Sequence, residues 1–151
     1  MLKRFISTIC VSLLVLSGCT KQSATEQQSS LDPLMTDAVE LAILTLATNA
    51  SLNPVDIDPD LRARLQKYTS NTEMQSEVRN VQATFKDGVH VKVTPVGVAK
   101  YKFKGAINAE ITIVDGEVGL TAAGKIFISD GAILEINQGR YMFAGASWKP
   151  S

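Results

Sequence analysis

The chain has 151 residues, 45 % of them hydrophobic, which is enough apolar material for one domain of ordinary size to bury a core. Its 15 Lys and Arg balance 15 Asp and Glu, so it lacks the basic excess that marks a nucleic-acid-binding surface. With two cysteines and one histidine, it has little from which to assemble a metal centre or a Ser-His-Asp arrangement.

Met1 to Arg4 carry Lys3 and Arg4, and Phe5 to Leu16 form an apolar run too short to span a bilayer. Leu16-Ser17-Gly18-Cys19 then closes the run with small residues and a cysteine. This segment resembles the signal peptide and lipobox of bacterial lipoproteins. The resemblance implies that residues 1–18 are a signal peptide, that the Cys19 thiol takes a diacylglycerol, and that the new amino terminus is acylated in turn with a chain such as palmitate. Thr20 follows the cysteine where an aspartate would imply retention at the inner membrane. The implied address is the outer membrane, lipid-anchored and facing the periplasm, or the plasma membrane if the source is Gram-positive. At roughly 0.8 kcal/mol per buried methylene, several acyl chains on one residue make such an anchor effectively permanent. Loss of Met1–Gly18 would leave 13 Lys and Arg against 15 Asp and Glu, a formal charge of −2, and no free thiol.

Thr20 to Ser30 is a polar tract without apolar periodicity and reads as a flexible tether, so that residues 19–30 are the lipidated cysteine and linker and 31–151 a single globular domain. Asp32-Pro33 supplies an N-cap and a proline at the first helical position, predicting a helix from Pro33 to about Asn49. Leu34, Met35, Ala38, Val39, Leu41, Ala42, Ile43, Leu44, Leu46 and Ala47 make it apolar on nearly every side, which predicts a central helix covered by a sheet. A pocket for a hydrophobic ligand along the same helix is the alternative. Asp58-Pro59-Asp60 repeats the cap, and Leu61, Leu65 and Tyr68 share one face of a second, short helix. Asp56, Asp58 and Asp60 alternate as in some calcium loops, but Asp58 is used as a cap and the glycine and terminal glutamate of an EF-hand are missing. Thr72 to Asn80 is read as a further turn or two of helix.

From Val81 the apolar period changes to two, and the requirement that apolar residues share a face selects the turns. Lys86-Asp87-Gly88 as a three-residue loop pairs Phe85 with Val89. A two-residue turn at Asp115-Gly116 matches Ile113 with Val118 and Ile111 with Leu120, and sets Gly105 against Ile126 in a long hairpin that bends at Gly105 and Gly124. A three-residue loop at Asp130-Gly131 pairs Ile126 with Leu134, and a last strand runs from Arg140 to about Ala146 with Tyr141 and Phe143 near Ile136 and Leu134. The fold class expected is α+β, with N-terminal helices packed on a curved antiparallel meander of about six strands. This order of parts also resembles, in architecture alone, small envelope lipoproteins whose folds are related to tubular lipid-binding domains, which implies lipid binding.

No glycine-rich phosphate loop, paired-carboxylate motif or cysteine cluster stands out, so no enzyme activity, no metal and no cofactor are expected. One patch suggests binding. A three-residue turn at Pro95-Val96-Gly97 would oppose Lys92 to Lys100 and His90 to Lys102, a destabilising arrangement that an anionic partner would relieve; a solvated strand face whose lysines discourage aggregation is the alternative. His90, Lys92, Lys100, Lys102 and Lys104 are therefore the candidate anion-binding residues, alongside Cys19 as the lipidation site. The expected function is a non-enzymatic envelope interaction or structural module, anchored to the membrane by its lipid, with an envelope protein or anionic lipid as partner and no nucleic acid.

Overall fold

The structure, a computed structural model, describes residues 31–151. The readings of the signal peptide, the lipobox with Cys19 and the tether lie outside the described residues. Helix α1 spans Pro33–Ala50, and its N-cap Asp32 accepts a hydrogen bond from the Met35 amide at 2.8 Å. Helix α2 spans Pro59–Thr69, where Asp58 does the same for Leu61 at 3.1 Å. Each cap carboxylate satisfies a first-turn N–H that has no partner within its helix. On α1, Ala38, Val39, Ala42, Ile43, Leu46 and Ala47 recur at helical spacing and are buried.

One acidic side chain sits within this apolar surface. Asp37 is buried, accepting from the Tyr68 hydroxyl at 2.7 Å and from Arg64 Nη1 at 2.6 Å, while Arg64 Nη2 lies 2.6 Å from Glu40 Oε1. These donors from α2 make a buried carboxylate tolerable and tie the two helices together. Partial burial works against the Arg64 charge, but its bonds and attraction to Glu40 and Asp37 prevail and raise its pKa. The bond to Asp37, aided by burial, raises that of Tyr68.

Nine strands follow: β1 (Thr72–Arg79), β2 (Gln82–Thr84), β3 (Gly88–Val93), β4 (Val98–Gly105), β5 (Ala109–Thr121), β6 (Ile126–Ile128), β7 (Ile133–Ile136), β8 (Gly139–Ala144) and β9 (Ser147–Pro150). The thirteen-residue β5 organises them all. Its first half lies between β4, with Ile111 opposite Tyr101, and β7, with Ile111 opposite Ile136. Its second half lies between β3, with Val118 opposite Val91, and β6, with Val118 opposite Ile128. Sheet A therefore runs β1-β4-β5-β7-β8-β9 and sheet B runs β2-β3-β5-β6. Helix α1 packs against β5, β3 and β6, and the core between them includes Tyr101, Ile107, Ile111, Leu120 and Leu134. The buried Tyr101 hydroxyl has no protein partner, and burial pushes its pKa up to about 12.

The α+β expectation of helices on a six-stranded meander is corrected here. Strand makes up 45 % and helix 24 % of the described residues, so the fold is β-rich, with nine strands and two helices. Four local readings account for the difference. Thr72–Arg79 is a strand and not a helical turn. Asp115-Gly116 lies inside β5, where the pairing slips by one residue between Ile113 and Asp115; this bulge switches parity so that Ile113 and Val118 both face the core. Gly116 has φ +123°, and a Cβ there would lie 2.6 Å from the Ala132 Cβ. Its glycine thus reflects a close approach by the chain entering β7. Gly124 belongs to a turn that starts β6, and Gly105 lies opposite Thr72, not Ile126. Finally, a turn at Gly145-Ala146, both with positive φ, adds β9 beyond the strand expected to be last.

The connections are not a meander either. β3 pairs with β5 and not β4, while β6 and β7 lie one after the other along the same partner, so Ile126 and Leu134 are not opposed. One local register follows from its turn: Ala83 opposite Val91 is the pairing that the Lys86-Asp87-Gly88 loop requires. The β7–β8 register differs by two residues from the one expected, because the turn at Asn137-Gln138 is tighter: Tyr141 lies opposite Leu134 and not Ile136, and Phe143 bonds Ala132 and not Leu134.

Candidate functional site

Alternation along β4 decides where its lysines point. Ala99, Tyr101 and Phe103 are buried, so Lys100, Lys102 and Lys104 project from the outer face of sheet A. β1 sets Glu77 opposite Lys100, Gln75 opposite Lys102 and Glu73 opposite Lys104. On the other side β5 sets Thr112 opposite Lys100 and Glu110 opposite Lys102. Unlike charges at such positions attract across the strands.

Only one of these neighbours closes into a contact pair. Lys100 Nζ lies 3.0 Å from Glu110 Oε1. Their hydrogen bond, then their mutual attraction, raises the Lys100 pKa and lowers that of Glu110. Among the described residues Lys102 and Lys104 make no ion pair. Both line a surface groove of about 600 Å³, together with Glu73, Gln75, Glu110 and Asn137. Its framework is held by amide side chains. The Asn137 side-chain Oδ1 accepts from the Glu110 N–H at 3.1 Å while its backbone N–H donates to the Glu110 carbonyl at 2.8 Å, and the Asn108 side chain bridges the Gly105 N–H and carbonyl at 3.2 and 3.0 Å. The Lys102 and Lys104 ammonium groups and the neighbouring amides can donate hydrogen bonds to an anionic group, while the Glu73 and Glu110 carboxylates, which only accept, oppose its charge and limit how it can sit.

His90 and Lys92 are elsewhere. They lie on the outer face of sheet B, where Lys92 is opposite Glu117 and Gln82, and His90 opposite Gly119 and Thr84. Because β3 and β4 are not paired, the expected oppositions of Lys92 to Lys100 and of His90 to Lys102 do not occur. His90 Nδ1 lies 3.1 Å from Glu117 Oε1, its ring stacks on Phe127 with centroids 4.3 Å apart, and its Nε2 is buried without a protein partner. The five candidate residues thus separate into two groups. Glu73, Gln75, Glu110 and Asn137 were missed as parts of the groove; the Glu73 and Glu77 spacing of two was the available signal, once Thr72–Arg79 is read as a strand.

Where α1 packs against the sheets, Ala38, Ala42, Ile43 and Ala47 are fully buried. A second groove, of about 420 Å³, lies between the α1–α2 connection and the β2–β3 turn, lined by Leu52, Pro54, Val55, Phe85 and Val89 among others. Among the described residues no three His, Cys, Asp or Glu side chains are grouped to hold a metal, and no helix is long and apolar enough to cross a membrane. No family model matches the chain, and no curated protein or solved structure is detectably similar to it.

Proposed function

We propose that this protein is a non-enzymatic envelope lipoprotein, anchored at the outer membrane through Cys19, whose Leu31–Ser151 domain is an interaction module for an anionic partner in the periplasm. The groove carries the binding part of this reading: among the described residues Lys102 and Lys104 make no ion pair, and they stand on β4, which is paired with β1 and β5, beside Gln75 and Asn137 in the groove lining. The partner chemistry that fits is a phosphate-bearing lipid headgroup or an acidic protein surface.

The binding test is co-sedimentation of the unlipidated Leu31–Ser151 domain with vesicles of anionic phospholipid, and with neutral vesicles, across a salt series. Lys102→Gln together with Lys104→Gln is expected to weaken anionic-vesicle binding at least fivefold. Binding by the parent is expected to fall with salt, since exposed charges are screened over roughly 8–10 Å at physiological ionic strength. Equal binding by parent and double variant would remove the groove from the function. Absence of parent binding to anionic vesicles at low salt would leave only the protein-partner form of the proposal.

The anchor rests on Leu16-Ser17-Gly18-Cys19 and the polar tract behind it. Cys19→Ala is expected to leave an uncleaved or mislocalised precursor that takes no lipid label. Normal acyl labelling and outer-membrane fractionation of that variant would refute the lipid anchor.

A further inference from the structure

The edges of the two sheets are not alike. β2 and β6 have three residues each, and β9 has four and carries Lys149 and Pro150, so each is too short or too guarded to pair with another chain. β1 has neither protection. It is eight residues long and pairs with β4 without a register shift from Thr72 opposite Gly105 to Arg79 opposite Val98; among the described residues nothing pairs with its other side. It contains no proline, lysine or bulge, and Met74 and Val78 are 42 % and 39 % exposed on the face that continues the Phe103 and Ala99 side of β4.

The sequence of β1 matches itself. Laid antiparallel against a second β1 about a two-fold axis at Ser76, Glu73 meets Arg79, Met74 meets Val78, Gln75 meets Glu77 and Thr72 meets Asn80, each pair occurring twice. Paired residues in an antiparallel ladder point to one face, so charges meet charges or amides and the exposed apolar residues meet each other. Moving the axis to Gln75 would oppose Glu73 to Glu77, and moving it to Glu77 would oppose that residue to itself. A slip of one residue would set Met74 against Glu77. In the Ser76 register the two Glu77 carboxylates are only diagonal neighbours, and each is already held by Arg79 of its own strand at 2.7 Å and faces Lys100 across β4.

We infer that a second copy of this chain occupies the β1 edge, joining the two A sheets into one continuous sheet across a two-fold axis at Ser76. The groove's Glu73 and Gln75 lie on the same strand, so the dimer would place two lysine grooves on one extended surface. Site-directed crosslinking of the full chain in the membranes of cells expressing it tests this. With Ser76→Cys, mild oxidation is expected to give a disulfide-linked dimer on a non-reducing gel, at least tenfold above that of the parent, whose own cysteines serve as the background. In the Ser76→Cys background, Met74→Glu alone or Val78→Glu alone is expected to reduce the dimer severalfold, and Met74→Glu combined with Val78→Glu to abolish it, since like charges then face each other at both ends. Met74→Glu with Val78→Lys is expected to restore it, because only this register brings the two new charges together. Both positions are substantially exposed, so these changes do not threaten folding. A Ser76→Cys yield no greater than the parent's, or a charge-swapped variant no better than the doubly acidic one, would overturn the inference.

Discussion

Ile111→Asp is expected to bring the domain close to unfolding at room temperature, whereas Thr112→Asp, one residue away, leaves it folded with a nearly unchanged melting temperature. Ile111 is fully buried at the middle of the first half of β5, with Tyr101 on one side and Ile136 on the other. Substitution removes isoleucine packing worth about 2–5 kcal/mol and places a carboxylate where no donor faces it, at a further cost of several kcal/mol. That approaches the whole stability of a typical domain, roughly 5–15 kcal/mol. Thr112 points outward between Lys100 and Glu135 and is partly exposed, so an added carboxylate finds one attractive and one repulsive neighbour and a change within about 1 kcal/mol. Thermal melts of the two purified variants beside the parent decide the matter. Equal melting temperatures, or a more stable Ile111→Asp, would mean that the two faces of sheet A are interchanged.

Which parts of this fold were legible depended on how far the controlling interaction lay along the chain. The caps at Asp32 and Asp58 act over three residues, so both helices begin where the dipeptides Asp32-Pro33 and Asp58-Pro59 place them. The β2–β3 loop is equally local, and the parity of Ala83 and Val91 fixes its register. At Asp115-Gly116 the same parity test is ambiguous. A two-residue reversal and a one-residue bulge both bring Ile113 and Val118 to one face, and only the competition among β3, β4, β6 and β7 for the two sides of β5 decides between them. Once that strand runs straight on, β3 and β4 fall into different sheets, and the lysines expected to oppose one another are separated. Thr72–Arg79 has Met74 and Val78 four apart, a spacing that suits a helix, and becomes a strand because β4 offers it a free edge. The groove inherits this history: its lysines alternate visibly on β4, while its carboxylate and amide walls come from β1, β5 and the β7–β8 turn, whose neighbourhood no local pattern encodes.

Gly119→Ala is expected to destabilise the domain by about 2–4 kcal/mol and to lower its melting temperature by about 10 °C. Gly119 sits in the second half of β5, opposite His90 on β3 and Phe127 on β6. A Cβ at this position would lie 1.9 Å from the Val89 carbonyl oxygen, a backbone atom in the neighbouring strand that cannot swing aside as a side chain could. β3 is itself hemmed in by β2 on its far side and by α1 beneath, so relief must come from a shift of the ladder. The space above the glycine is already used: the His90 and Phe127 rings come from the strands on either side and stack with an interplanar angle of 7°, as aromatic side chains do when they cover a glycine in a sheet. Displacing β3 would therefore also separate His90 from Phe127 and from Glu117, and the His90 ring resonances should shift in a variant that still folds. If Gly119 were merely tolerated, alanine would restrict the unfolded chain and stabilise the protein by about 0.4–1 kcal/mol. The two accounts differ in sign, so one denaturant titration of Gly119→Ala against the parent separates them.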